Sequence, residues 1–261
     1  MSLDFVNDVL AQTTVVNETA LVLGLLFLSF MLLSLWRVGA GFVPDLRPIA
    51  AFAAMSGAVE NAAESALPLH VSAGAGTFGD AMTAQTLAGL AVVEGLAQPA
   101  ATSGARLLVS TASPLLLPLV EGMQREAYAA AGYPQDYTPD QVCFLSDNRN
   151  AYAFGVARLV REERAAMSIL AGDFSDEYLL AAEPAAVAGA EQIAGTGNVR
   201  TLPFVVATAS QALLGEELFA AGAYLSRKAT AIASLLAQDQ VRLLLVGMIL
   251  AGVVLETLGG A

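Results

Sequence analysis

Residues 106–132 read RLLVSTASPLLLPLVEGMQREAYAAAG. The first six (RLLVST) form a short apolar run with a polar end. That pattern predicts a strand covered on both faces. Residues 114–131 follow as a helix, and Gly132 stops it. A strand with a helix behind it is the unit of this chain, and it recurs in both directions.

Upstream, Pro48 sits where proline opens a helix, which runs to about Ala66. Residues 67–73 (LPLHVSA) predict a strand. Asp80 reads as the N-cap of a helix to about Gln98, and residues 99–104 (PAATSG) as a loop. Downstream, GYPQDYTPDQ is a polar loop rich in turn residues. Residues 142–146 (VCFLS) predict a strand, and Asp147 caps a helix to about Arg164. Residues 166–171 (AMSILA) predict another strand, followed by a helix from Ser175 to about Ala194. Residues 203–209 (PFVVATA) predict the fifth strand. Residues 211–227 predict an amphipathic helix carrying Leu214, Leu218, Phe219 and Leu225. Apolar strands alternating with helices imply an α/β fold: a three-layer, Rossmann-like domain with a mostly parallel sheet of about five strands.

Two oily stretches flank this pattern. Residues 20–36 (ALVLGLLFLSFMLLSLW) hold no charge, and residues 243–255 (LLLVGMILAGVVL) lie near the other end. With its neighbours the first reaches the ~20 residues that a crossing helix needs. It does not read as a signal peptide, because Asp4, Asp8 and Glu18 precede it without any lysine or arginine. The second extends over residues 241–258, with Arg242 and Glu256 near its ends, where both can reach the headgroups. Gly247 and Ala251, with Gly252 beside them, form a small-residue face that admits another helix. Arg37, Arg47, Arg227, Lys228 and Arg242 lie on the inner flanks, and the outer flanks have no basic residue. The positive-inside rule then places the middle of the chain in the cytoplasm. The expected organisation is an extracytoplasmic terminus (1–18), a transmembrane helix (19–38), a cytoplasmic α/β domain (39–230) and a C-terminal transmembrane helix (231–261). The expected location is the cell membrane, multi-pass.

The composition is 56% hydrophobic and 14% charged, against about 25% charged in soluble domains. Net charge is −12, from 12 basic and 24 acidic residues, which argues against a nucleic-acid partner. Cys143 is the single cysteine, so no intrachain disulfide forms. It reads as a buried structural thiol within VCFL. His70, the single histidine, reads as a strand-end residue.

In a parallel sheet, ligands bind beyond the carboxyl ends of the strands. The candidate rim here is Gly74, Gly76, Ser110, Thr111, Ser113, Asp147, Gly172, Asp173, Thr208 and Ser210, with Asp80 close by. Residues 74–79 (GAGTFG) match G-x-G-x-x-G between a strand and a helix, a pattern that presents backbone N–H groups to a diphosphate. Two features oppose that reading. Asp80 puts negative charge where phosphate would sit, and the second strand ends in Ser110-Thr111 rather than in a ribose-binding acid. Asp80, Asp147 and Asp173 all follow strands and could gather a divalent cation. Capping of the next helices is the simpler role. Glu216 and Glu217 are acid/base candidates, partner contacts or a solvated face. No catalytic residue, metal site or cofactor is expected.

The segments FLSDNRNAYAFGVARLVREERAA, GAEQIAGTG, LPFVVATAS and LLGEELFAAGAYLSRKA resemble those of a prokaryotic membrane family known as a domain of unknown function. The blocks EQIAGT (191–196), GEEL (215–218) and AYLSR (223–227) carry the likeness. The resemblance implies an N-terminal membrane helix, an α/β middle and a C-terminal apolar helix, and it transfers no activity. The chain departs from that pattern near Gly74–Asp80, with more glycine and fewer acids. The function expected is structural: a membrane-anchored scaffold that self-associates, or a subunit of a membrane complex. The alternative is a tethered sensor or enzyme that binds a nucleotide or metabolite at the rim.

Overall fold

Residues 18–42, 44–79, 81–187 and 189–259 are described by a computed structural model of the chain. They divide into two compact units, Leu46–Arg227 and the two chain ends, described over 18–42 and 44–45 with 228–259. The elements in chain order are α1 (Glu18–Gly39), α2 (Ala50–Ser65), β1 (Leu69–Gly74), α3 (Thr83–Ser103), β2 (Leu107–Thr111), α4 (Leu116–Ala131), β3 (Val142–Phe144) and α5 (Arg149–Glu162). There follow β4 (Met167–Asp173), α6 (Tyr178–Val187), β5 (Glu191–Thr196), α7 (Leu202–Thr208), β6 (Gln211–Leu214), a 3-10 segment (Gly215–Ala220), α8 (Ala221–Tyr224) and α9 (Ala229–Gly259).

The six strands form one sheet in the order β3-β2-β1-β4-β5-β6, and every pair is parallel. All residues of β1, β2 and β4 are buried, as parallel strands between two helical layers must be. Right-handed crossovers put α5, α6 and α7 on one face. There Tyr152, Val156, Val160, Tyr178, Ala181 and Val205 pack on Leu170 and Ala194. Helices α2, α3 and α4 cover the other face, burying Met55, Val59, Val92, Val93 and Val120. Helix α3 lies directly over the centre of the sheet. A Cβ on Gly89 would meet Ala171 O at 2.6 Å and Ala73 O at 2.8 Å, so only glycine allows this approach.

The sheet corrects three readings in the second half. Residues 191–196, expected as the end of a helix, are β5. Residues 203–209, expected as a strand, lie mostly in α7, and residues 211–214, expected as helix, are β6. The cause is topological. Residues 197–210 must carry the chain back along the sheet between two parallel strands, and such a crossover needs a helix. Pro203, near the start of α7, suits that use. Residues 99–104 are not a loop, since α3 runs through Pro99 to Ser103 and ends on Gly104.

In the end unit, α1 and α9 pack on each other. Leu21–Gly39 and Ala229–Val254 are long and apolar enough to cross a membrane, and only 6% of each apolar window is buried. The less exposed positions of α1 include Phe27, Met31, Ser34 and Val38. Those of α9 include Ala233, Ala237, Gln240 and Leu244. Both sets follow the spacing of a helix-pair seam. Gly247 and Ala251 continue the seam of α9, yet they are exposed, as is Gly252, and nothing lies within 4 Å of a Cβ built on either glycine.

Candidate functional site

The strand order reverses between β1 and β4. A doubly wound sheet of this order takes ligands in the crevice outside the carboxyl ends of those two strands. Gly74 and Asp173 end them, so two of the sequence candidates meet at the expected place.

The crevice is closed by the chain itself. After a register shift between Ser72 and Gly74, Gly74 pairs with Asp173, and Ala75 N–H donates to Asp173 O at 2.8 Å. Gly74 has φ +86, and a Cβ there would sit 2.5 Å from Asp173 N. A Cβ on Gly76 would collide with Thr86 Oγ1 and lie 2.9 Å from Asp173 Cβ. These two glycines let β1 and β4 stay zipped past the switch point, and the close approach that they permit is to the protein's own Asp173.

Asp173 does not cap a helix. Its carboxylate is 2% exposed and accepts from Arg149 Nη1 at 2.8 Å. Arg149 opens α5 and also donates from Nε and Nη2 to Glu177 Oε1, at 3.1 and 2.8 Å. Glu177, 3% exposed, accepts from Ser175 N–H as well, at 3.0 Å. One guanidinium thus serves two buried carboxylates. Burial works against the charge on Arg149, but Asp173 and Glu177 outweigh it and hold its pKa above the ordinary arginine value.

Beneath this cluster a polar stripe crosses three strands under α5. His70 Nδ1 lies 3.0 Å from Ser168 Oγ, and Nε2 lies 2.9 Å from Ser110 Oγ. Ser110 Oγ is 3.1 Å from Tyr152 OH, which is 2.6 Å from Ser72 Oγ. Ser72 Oγ then accepts from Gly74 N–H at 3.1 Å. His70, Ser72, Ser110, Ser168 and Tyr152 are all fully buried. His70 is therefore an inner member of a network rather than a strand-end residue. Burial pushes its pKa down to about 3, leaving a neutral ring with one donor and one acceptor. Burial raises the Tyr152 phenol to about 12, against the opposing hydrogen bonds of Ser110 and Ser72.

The rest of the rim is equally self-satisfied. Gln85 Oε1 accepts from Thr196 Oγ1 and Gly197 N–H, at 2.9 and 2.8 Å. Thr77 Oγ1 lies 2.9 Å from Ser113 Oγ, and Asn198 Nδ2 donates to Phe174 O at 3.2 Å. Asp147 is exposed, and the cap of α5 is Asn148, whose side chain accepts from Ala151 N–H. Thr208 and Ser210 do not belong to the rim. Thr208 ends α7, and Ser210 precedes β6, at the amino end of the sheet. Asp80 lies outside the described residues. Among those described, no three His, Cys, Asp or Glu residues stand close enough to hold a metal ion.

Cys143 is half-buried on the edge strand β3 rather than in the core, and burial raises its thiol pKa. Glu217 is no free solvated acid: it accepts from Arg47 at 2.6 Å and from Leu214 N–H at 3.2 Å. Sequence reasoning missed Arg149, Glu177, Tyr152 and Gln85. For Arg149 the available signal was its place one residue after a cap, in the string DNRN behind a strand.

The family model described as "Domain of unknown function (DUF6754)" matches residues 10–261, and the chain belongs to that family. No curated protein and no solved structure matches the chain.

Proposed function

We propose that this member of the DUF6754 family is a membrane-anchored structural protein. In this reading α1 and α9 cross the membrane, and the α/β domain lies in the cytoplasm. That domain self-associates or organises a membrane complex. One observation carries the reading above the others. The crevice where a sheet of this order takes a ligand is filled by Asp173, Arg149 and Glu177 and sealed by backbone pairing of β1 with β4. The open small-residue stretch at Gly247, Ala251 and Gly252 supports association within the bilayer. The lysine and arginine bias of the flanks supports the orientation.

The test is mild detergent extraction followed by light scattering on the eluting particle. The expected result is a particle containing several copies, or copies with a second chain. A monomer at every protein concentration, with no companion chain, overturns the proposal. Thermal-shift screening with nucleotides and divalent cations probes the alternative. The expected result is no stabilisation. A clear, saturable shift would instead favour a binding protein.

A further inference from the structure

Helix α9 presents one face to α1, the face of Ala233, Ala237, Gln240 and Leu244. A second face carries Asp239, Arg242, Val246, Ile249 and Val253, at intervals that alternate between three and four residues. That is again the spacing of a helix-pair seam. At 3.6 residues per turn, this face lies on the side away from α1. Its five residues are all exposed. Gly247 and Ala251 lie on the α1 side and do not belong to it.

Exposed apolar residues on such a helix say nothing about a protein partner, because lipid covers them equally well. Asp239 and Arg242 are different. Both fall within Ala229–Val254, the stretch long and apolar enough to cross a membrane. Arg242 adjoins Leu243, where the uninterrupted apolar run begins. A charge turned towards lipid there is costly, and such residues face other protein. Their contact within the helix is loose. Arg242 Nη1 stands 3.6 Å from Asp239 Oδ1, against roughly 2.7–2.9 Å for a charge-assisted hydrogen bond. On α5 the same-helix pair Arg158–Glu162 closes to 2.9 Å. A carboxylate and a guanidinium each bond several groups at once, so this pair has capacity for a further partner.

We propose, resting on the membrane crossing and self-association read above, that this face of α9 packs on the same face of a second copy. All copies enter the membrane in one orientation, so the two helices run parallel about a two-fold axis. Asp239 then lies one helical turn from the partner's Arg242, and the two-fold axis repeats the ion pair. Opposite charges on one face make the surface its own complement, which a chain of unrelated sequence would have to match by chance. Val246, Ile249 and Val253 interlock beyond the charges as β-branched knobs, and the charged positions fix the register.

The test is disulfide cross-linking of the full chain in isolated membranes, in a Cys143→Ser background that has no other cysteine. Copper phenanthroline is the oxidant, and mass on a non-reducing gel is the readout. Val246→Cys is expected to give a linked dimer. Met248→Cys, exposed at nearly the same depth on another face, is expected to give none. Added to Val246→Cys, either Asp239→Arg or Arg242→Asp is expected to lower the linked fraction about tenfold or more, because like charges then meet. The two exchanges together restore opposite signs and are expected to restore the link. The proposal is overturned if both cysteines link equally, if neither links, if the single exchanges change nothing, or if the double exchange fails to rescue. An oligomer in light scattering without a link at Val246→Cys ends this assignment and leaves the scaffold reading standing, whereas a monomer ends both.

Discussion

Arg149 holds two carboxylates that would otherwise be buried without a counter-charge. Removing one partner of such a group costs more than the group contributes when whole, because the remaining charges stay desolvated. Arg149→Met is therefore expected to destabilise the domain by about 3 kcal/mol. That corresponds to a fall of roughly 6–12 °C in melting temperature for a unit of this size. Circular dichroism of the full chain in detergent at pH 7 reads it, and an unchanged melting temperature would remove the guanidinium from the account.

His70 gives a second residue-level prediction with a definite sign. Its folded pKa is lowered to about 3 from 6.5. Below pH 6.5 the unfolded chain takes up a proton that the folded chain refuses, so this contribution to stability is complete above pH 6.5 and is lost as pH falls towards 3. At pH 4 the loss is about 3 kcal/mol, at 1.36 kcal/mol per unit. His70→Asn keeps polar atoms between Ser110 and Ser168 but cannot titrate. Its stability is expected to vary less with pH over that window than that of the parent. Parallel curves for the two proteins would contradict the assignment.

Among the elements, α3 depends on Gly89 for its close approach to the sheet. Gly89 faces backbone oxygens of both β1 and β4, and no side chain can move aside to admit a methyl group. Gly89→Ala is expected to cost about 2–3 kcal/mol, the upper range for overpacking. Gly122, in α4, has nothing within 4 Å of a built Cβ. Gly122→Ala is expected to stabilise by about 0.5–1 kcal/mol through helix propensity. Denaturant midpoints of the two variants should therefore move in opposite directions, and movement of both in the same direction would refute this placement of α3.

Legibility from sequence also divides by element. β1, β2, β3 and β4 were readable because each is an apolar run closed by turn residues, with a helical pattern behind it. β5 was not, because Glu191-Gln192 opens it and alanine and glycine fill it, a composition equally at home in a helix. PFVVAT looked like a strand on β-branched propensity, yet the need to return between two parallel strands overrode that preference. The strand-end rim was readable from Gly74 and Asp173. What fills it was not, because Arg149 meets Asp173 and Glu177 only after β3 and β4 have been placed on opposite sides of β1.

Across the whole chain, charge asymmetry makes the boldest prediction. Every lysine and arginine lies between the first oily stretch and the early part of the second, from Arg37 to Arg242. If both stretches cross as proposed, all trypsin sites sit on one side of the bilayer or at its surface. Sealed right-side-out vesicles should then protect the full-length chain from added trypsin, while inverted vesicles should lose it. Detergent should abolish the protection. Either crossing alone gives the same protection, because every lysine and arginine lies on the inner side of each stretch, so this experiment reads the orientation. Cleavage in right-side-out vesicles would reverse the orientation. Release of the intact chain by alkaline carbonate would show that α1 and α9 bury their apolar surface against protein rather than lipid, and the exposure of those helices would then mark a protein interface of the same extent.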